Sequence, residues 1–432
     1  MSGNYAEAEP LYERSLAIRE KALGPEHPIV EIVLNDMAGL LKSQGKYAEA
    51  EPLYERSLAT GEKALGPEHP DVAGSLNNLA GLLSQSKYAE AEPLYERSLA
   101  IGEKALGPEH PTVATVLNNL AELLKSQGKY AEAEPLYERS LAIGEKALGP
   151  EHPIVATVLN NLAGLLKSQG KYAEAEPLYE RSLAIGEKAL GPEHPIVATV
   201  LNNLAGLLKS QGKYAEAEPL YERSLAIGEK ALGPEHPDVA GSLINLAGLL
   251  ESQGKYAEAE PLYERSLAIG EKALGPEHPD VAGSLINLAG LLESQGKNAE
   301  AEPLYERSLA IREKALGPEH PDVAGSLINL AGLLESQEKY AEAIPLLERA
   351  LSISMKLGGN HPGTVIMQSG LEHVREKVRA QLARREGKPH AQNIAQRSGT
   401  TENTSFRVAE VKMRSKQLPA IAVTANARNK TG

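Results

Sequence analysis

Tyr130 to Lys171 reads YAEAEPLYERSLAIGEKALGPEHPIVATVLNNLAGLLKSQGK, and Tyr172 to Lys213 repeats it letter for letter. Outward in both directions the same sentence recurs with small edits. Its opening residues are Tyr5, Tyr47, Tyr88, Tyr130, Tyr172, Tyr214, Tyr256, Asn298 and Tyr340. The step is 42 residues, except for one of 41 between Tyr47 and Tyr88. A fixed internal period decides the architecture before any single residue does, because each copy is one supersecondary unit that needs its neighbours.

Within one copy, Val155, Val158, Leu159, Leu162, Leu165 and Leu166 recur at three- and four-residue spacing. That is the period of a helix with one buried face. Pro153 suits its first turn, where a missing N–H loses nothing, and Gly170 suits the left-handed position after its end. A second helix follows from Tyr172 to Leu190, with a stripe expected at Tyr172, Ala175, Tyr179, Ser182, Leu183, Ala189 and Leu190. Pro177 lies one turn into it, where the amides still lack intrahelical partners. Gly191-Pro192 ends it, and Gly191 to Pro195 forms a stiff connection to the next copy. The small residues Ala163, Ala175 and Ser182 fall where two antiparallel helices must approach closely. The period therefore predicts an all-α stack of helix hairpins, helix A then helix B, each hairpin covered by the next.

Asn161-Leu162-Ala163, Leu166, Gly170, Tyr172, Ala175, Tyr179 and Leu183 together resemble the signature of the tetratricopeptide repeat, with Ser182 where that family usually has Ala. The longer helix B, ending in EKALGPEHPDVA in several copies, is similar to the 42-residue repeats of kinesin light chains. It also resembles arrays attached to signalling NTPases. The resemblance implies a right-handed superhelical solenoid that binds peptides or partner helices in a concave groove. Its sharpest version is a cytoplasmic cargo adaptor, cytoskeleton-associated if it serves a motor; the alternative is the sensor array of a larger NTPase.

Composition narrows the chemistry. The chain has no Cys and no Trp, and only one Phe, so Leu, Ala and Tyr must fill the core. Disulfide and thiolate chemistry are excluded. No glycine-rich phosphate loop, nucleophile motif or HExxH stands in the sequence. An enzyme is not expected, nor a cofactor or small-molecule substrate. Neither a secretion signal nor a membrane-spanning apolar run is found, which favours a cytoplasmic protein. The net charge of −13 hides two parts: residues 361–432 carry +8 and residues 1–360 carry −21.

Candidate ligand groups follow from counting turns outward from the buried Leu159 and Leu162. Thr157, Asn160, Asn161, Gly164, Lys167 and Ser168 fall on the expected groove face. Asn161 recurs as Asn78, Asn119, Asn203, Asn245, Asn287 and Asn329, and Asp36 stands in its place in the first copy. A carboxamide offers both a donor and an acceptor, as an extended peptide backbone requires. The matching asparagines of kinesin light chains and chaperone-binding relatives contact peptide, so the resemblance implies the same role here. The face also changes along the chain. Asn77, Asn118, Asn160 and Asn202 give way to Ile244, Ile286 and Ile328, while Lys42, Lys125, Lys167 and Lys209 give way to Glu251, Glu293 and Glu335. Two readings stay open: a peptide with one acidic and one basic-apolar end bound in one direction, or a solvated face that drifted before the copies multiplied. The repeated histidines of the PEHP loops suggest metal, but zinc ligands must lie within roughly 2.0–2.2 Å of one ion. Neighbouring hairpins stand roughly one helix diameter apart, so a loop or capping role is expected and no metal.

Four segments are expected: residues 1–27, an orphan helix B of a truncated first repeat; 28–360, the array; 361–385, a capping helix; and 386–432, a basic disordered tail. The tail leaves three readings open: a solvated end, a patch for an anionic partner, or an arm folded back onto the acidic array. Without interleaved aromatics it gives little support to nucleic-acid stacking.

Overall fold

The computed structural model describes residues 5–44, 46–85, 87–356 and 362–385. Every regular element among them is a helix. In chain order these are α1 (Tyr5–Leu23), α2 (Pro28–Ser43), α3 (Tyr47–Leu65), α4 (Pro70–Leu83), α5 (Tyr88–Leu106) and α6 (Pro111–Ser126). Then come α7 (Tyr130–Leu148), α8 (Pro153–Ser168), α9 (Tyr172–Leu190), α10 (Pro195–Ser210), α11 (Tyr214–Leu232) and α12 (Pro237–Ser252). The last are α13 (Tyr256–Leu274), α14 (Pro279–Ser294), α15 (Asn298–Leu316), α16 (Pro321–Ser336), α17 (Tyr340–Lys356) and α18 (Pro362–Arg385). The even-numbered helices up to α16 are helices A and the odd-numbered ones helices B. Two compact units divide the chain at residue 234: the first holds α1–α11, the second α12–α18.

Local chemistry sets each boundary. At the start of α8, His152 has extended backbone, and its Nδ1 accepts the Ile154 N–H at 3.2 Å. This is side-chain capping of an amide that the helix cannot satisfy itself. The same cap opens α2, α4, α6, α10, α12, α14 and α16, through His27, His69, His110, His194, His236, His278 and His320. The PEHP histidines are thus helix caps. Helix α8 is capped at its end by Gln169, and Gly170 follows at φ +79°, a conformation that suits a residue without Cβ.

Hairpin packing is the same in both units. In the first, Val155, Ala156 and Leu159 of α8 cluster with Ile185 of α9, and Leu141 of α7 and Leu178 of α9 pack against them. One cluster therefore joins helices of two successive repeats. In the second unit Val281, Ala282, Leu285 and Ile311 do the same, with Leu267 and Leu304. Each fully buried Leu or Ile side chain contributes about 1.5–3 kcal/mol from removing apolar surface from water. Ser182 is fully buried and donates its hydroxyl to the Ala156 carbonyl at 2.7 Å. It is matched by Ser308 donating to the Ala282 carbonyl at 3.0 Å. A serine here fits because its one donor finds a carbonyl on the partner helix.

Successive repeats are tied by ion pairs along helix B and the segments flanking it. Lys171 meets Glu134 at 2.9 Å, Arg181 meets Glu145 at 2.7 Å and Lys188 meets Glu151 at 2.6 Å. In the second unit Lys297–Glu260, Arg307–Glu271 and Lys314–Glu277 repeat the set at 2.8, 2.6 and 3.1 Å. Exposed pairs are worth about 0–1 kcal/mol each; here they neutralise carboxylates that would otherwise repel along an acidic array. Helices A approach one another directly on the opposite side: α6 with α8, α8 with α10 and, in the second unit, α12 with α14.

The stripe of α9 differs from the expected one, and α18 and α1 leave large apolar residues exposed. Ala189 is exposed and Leu183 and Leu190 only half-buried, while Ile185 and Gly186 are buried. The face turns with the 3.6-residue period, which carries Ala189 out to solvent. In α18, Leu371 and Val374 are buried but Leu382 is 51% exposed, so that helix packs by its first half. In α1, Leu11 and Ile18 are 64% and 57% exposed, whereas Ile101 and Ile143, matching Ile18, are 2% and 5% exposed. The expected tail, residues 386–432, lies outside the described residues, as do residues 1–4 of the expected orphan helix segment.

Candidate ligand face of the first helices

In the first unit the paired asparagines bind each other. Asn203 Nδ2 donates to Asn160 Oδ1 at 3.0 Å, and Asn160 Nδ2 to Asn161 Oδ1 at 3.2 Å. Asn161 then donates to Asn118 at 3.1 Å, and Asn118 to Asn119 at 3.4 Å. Asn119 donates to Asn77 at 3.0 Å, Asn77 to Asn78 at 3.4 Å, and Asn78 to Asn35 at 3.1 Å. The result is a one-way relay of carboxamides crossing α10, α8, α6, α4 and α2. The carboxamides are thus partly engaged with one another. Each relay member from Asn160 to Asn78 spends one N–H and one lone pair, and keeps one of each. All are half-buried.

The second unit lacks the relay. Ile244 and Ile286 stand where Asn287 and Asn329 would find an acceptor, and these two carboxamides make no hydrogen bond to protein. Asn202 and Asn245 both have partners. Ile328 is buried at 8% exposure and joins the core of the last repeats.

The lysine row has a structural reason. Along helix A the glycine of Leu-Ala-Gly faces the lysine of the preceding repeat and the tyrosine of its own helix B. A Cβ built on Gly81 would stand 3.2 Å from Lys42 Nζ and 3.3 Å from Tyr95 Oη. On Gly164 it would stand 3.4 Å from both Lys125 Nζ and Tyr179 Oη, and on Gly206 2.8 Å from Lys167 Nζ and 3.2 Å from Tyr221 Oη. Lys42 donates to the Gly81 carbonyl at 3.0 Å, and burial lowers its pKa. Lys125 pairs with Glu122 at 3.1 Å. Lys167 makes no hydrogen bond or ion pair with protein; burial, then the charges of Lys209 and Lys125, push it down to about 8. Lys209 has a partner.

Glu122 went unnoticed in the sequence. It replaces the glycine of the other copies, and it accepts from Tyr137 Oη at 2.5 Å besides pairing with Lys125. In the second unit the row's glutamates take that role: Tyr263 donates to Glu251 and Tyr305 to Glu293, each at 3.1 Å. The burial of these tyrosines and the nearby carboxylates raise their phenol pKa values, so they remain donors. Two further single-letter departures carry polar chemistry. Glu31 is buried in place of the usual Ala, and accepts from Ser75 at 2.6 Å and Ser57 at 3.4 Å. Arg312 replaces Gly and donates to Ser326 at 3.1 Å and the Asp322 carbonyl at 3.0 Å. A letter that breaks the repeat was the available signal for all three.

Among the described residues no cluster of three or more His, Asp or Glu could hold a metal ion, and no helix is long and apolar enough to cross a membrane. An open cleft between α17 and α18 is lined by Leu351, Met355 and Leu371, and Arg375 spans to Glu348 and Glu372 at 2.8 Å each. It holds no recognisable catalytic grouping.

Helix hairpins of fixed length, stacked so that one core cluster serves two repeats, define a helical repeat solenoid. The chain belongs to the tetratricopeptide repeat family, which matches it in overlapping windows from 1–60 through 154–230 to 322–385. No curated protein matches it. Similar solved structures include a Podosopora anserina protein described as a kinesin light chain with nearly identical TPR-like repeats. It shares 34% identity over 48% of this chain and 98% of its own, with a TM-score of 0.43. BtubC (BKLC) of P. vanneervenii shares 26% identity over 54% of this chain and 92% of its own, at a TM-score of 0.46. A tetratricopeptide repeat protein of Parabacteroides merdae shares 19% identity over 70% and 98%, at 0.47. The fold is that of a repeat scaffold, a type consistent with protein–protein interaction and generally non-catalytic.

Proposed function

We propose that the chain is a cytoplasmic, non-catalytic scaffold that holds an extended peptide against its helices A. The observation that supports this most is the half-spent relay. Asn78, Asn118, Asn119, Asn160 and Asn161 each retain one donor and one acceptor, oriented by the bonds they already make. Such groups meet a peptide backbone without first losing rotamer freedom, and pre-organisation of this kind lowers the entropic cost of binding. In the first unit Lys125, Lys167 and Lys209 add positive charge, which favours peptides carrying carboxylates. In the second, Glu251, Glu293, Glu335 and the Ile row favour basic and apolar side chains, with Asn245, Asn287 and Asn329 as the backbone-binding amides. A cargo-adaptor role of the kinesin light chain kind is the sharper version of this reading.

The test is fluorescence anisotropy with a labelled extended peptide bearing Asp or Glu at alternate positions. Changing Lys125, Lys167 and Lys209 together to Glu should weaken binding at low salt by on the order of tenfold or more, because the row turns from net positive to strongly negative. A scrambled neutral peptide should respond little. Unchanged affinity for the acidic peptide at low salt would remove the proposal for the first unit.

A further inference from the structure

Helix α1 exposes what the other helices B bury. Its Leu11, Tyr12, Ser15 and Ile18 match Leu136, Tyr137, Ser140 and Ile143 of α7. In α7, Leu136 and Ile143 pack on Val113, Ala114 and Leu117 of α6, the helix A of the same hairpin. Tyr137 is fully buried, and Ser140 donates to the Ala114 carbonyl at 2.7 Å. In α1, Leu11 and Ile18 are exposed, and Tyr12 and Ser15 are only half-buried. Helix α18 shows the converse. It opens at Pro362 as each helix A opens at its proline, and among the described residues no helix B follows it. Two contacts fix its register. Ser354 meets Met367 as Arg312 meets Ser326, and His373 approaches Glu335 as Gly164 faces Lys125. Counted from the proline, Leu371 and Arg375 then take the places of Leu120 and Leu124 of α6. Within the array, Glu96, Leu99 and Ala100 of α5 and Leu120 and Leu124 of α6 wall a groove that Glu132 and Leu136 of α7 close. The cleft between α17 and α18 has the same walls, Glu348, Leu351 and Ser352 with Leu371 and Arg375, and stands open.

We propose that this cleft seats α1 of a second copy, so that chains join head to tail. The joint is one more hairpin of the array, with α18 as its helix A and the incoming α1 as its helix B. Leu11 enters beside Leu351 and Leu371, as Leu136 does beside Leu99 and Leu120. Ile18 covers the opening turns of α18. The Tyr12 hydroxyl reaches Glu376, which stands 14 residues after Pro362 as Glu293 stands after Pro279. Tyr305 donates to Glu293 in that arrangement. Gln368, Glu372 and Arg375 replace Leu117, Ala121 and Leu124, so this seam is more polar than those inside the array and its association is weaker and reversible. Each step leaves one α1 and one cleft unused, so association continues past a pair unless a ring closes. The joint does not depend on peptide binding.

Sedimentation velocity of the full chain over a wide concentration range tests this, with far-UV circular dichroism to check folding. The expected mass rises with concentration. Leu11→Glu combined with Ile18→Glu should weaken association by on the order of tenfold or more, because both anchors are lost. Ser352→Arg combined with Met355→Arg, at two exposed positions of α17, should do the same from the other side. Met355 stands where Glu145 pairs with Arg181 in the array. Met355→Glu should therefore pair with Arg14 of the second copy and tighten association by up to about fivefold, whereas a merely adhesive apolar surface would loosen. The two blocked proteins, mixed, should form pairs and nothing larger, since one keeps its cleft and the other its α1. A chain that stays monomeric throughout, association that survives either double change, loosening by Met355→Glu, or a mixture that recovers no pairs would overturn the proposal. The wild-type and Met355→Glu measurements decide it even if a blocked variant fails to fold.

Discussion

The first unit, α1–α11, and the second, α12–α18, share one hairpin but differ on the candidate ligand face of helix A. Their cores superimpose residue for residue in type: Val155, Ala156, Leu159 and Ile185 against Val281, Ala282, Leu285 and Ile311. On the exposed side of helix A, asparagine and lysine in the first unit become isoleucine and glutamate in the second. The change is not decorative. It dissolves a hydrogen-bond relay, leaving Asn287 and Asn329 without protein partners, and hands each neighbouring tyrosine a carboxylate acceptor. Core and face therefore vary independently, as expected when stability is a sum of repeat and nearest-neighbour terms.

The strongest test of that independence is a matched core deletion. Leu165→Ala and Leu291→Ala remove equivalent, fully buried side chains. Each should cost about 2–5 kcal/mol, and by nearly equal amounts, in urea denaturation followed by circular dichroism. A large inequality would mean that the faces feed back on the core. The relay is tested next. Asn161→Leu breaks bonds to both Asn118 and Asn160 and should lose about 1–3 kcal/mol, whereas Asn287→Leu breaks none. The second should stay within about 0.5 kcal/mol. Equal losses would show that the relay adds nothing.

These two faces also mark how far the sequence could be read. The fold was legible because the apolar period and the Gly-Pro punctuation act within one 42-residue copy. The relay was not, because Asn161 finds Asn118 across 43 residues, and a repeat period gives no distance between side chains of adjacent copies. The row Lys167–Gly206–Tyr221 was hidden for the same reason: its parts come from three helices, and the glycine matters by what it lacks. Counting turns put Asn160, Asn161 and Lys167 together on one face of helix A. Their bonding to each other was beyond that count.

Smaller effects come from the exceptions and the caps. Burial raises the pKa of Glu31 above the ordinary carboxylate range, despite the hydrogen bonds from Ser75 and Ser57 that oppose it. The folded chain thus holds that proton more tightly than the unfolded one. Stability from this group is present at acid pH and is lost as pH climbs through the raised value. Glu31→Gln should therefore gain on the wild type between pH 4 and pH 7 in thermal unfolding. A constant difference across that range would remove the explanation. His194→Ala and His278→Ala each delete an N-cap and should cost about 1 kcal/mol, alike in both units. A near-zero cost in either would show that the capping bond is dispensable there.

Glu31 also bears on how a chain of nearly interchangeable hairpins finds its order. Copies that share a core can dock one step out of place, a known hazard of repetitive chains. Advanced by one copy, Glu31 would meet Val116 where Ser75 belongs, and a methyl group cannot donate to a buried carboxylate. The odd acid near the start of the array thus works as a key tooth, rejecting a stack shifted by one hairpin while the seams around it would accept either partner.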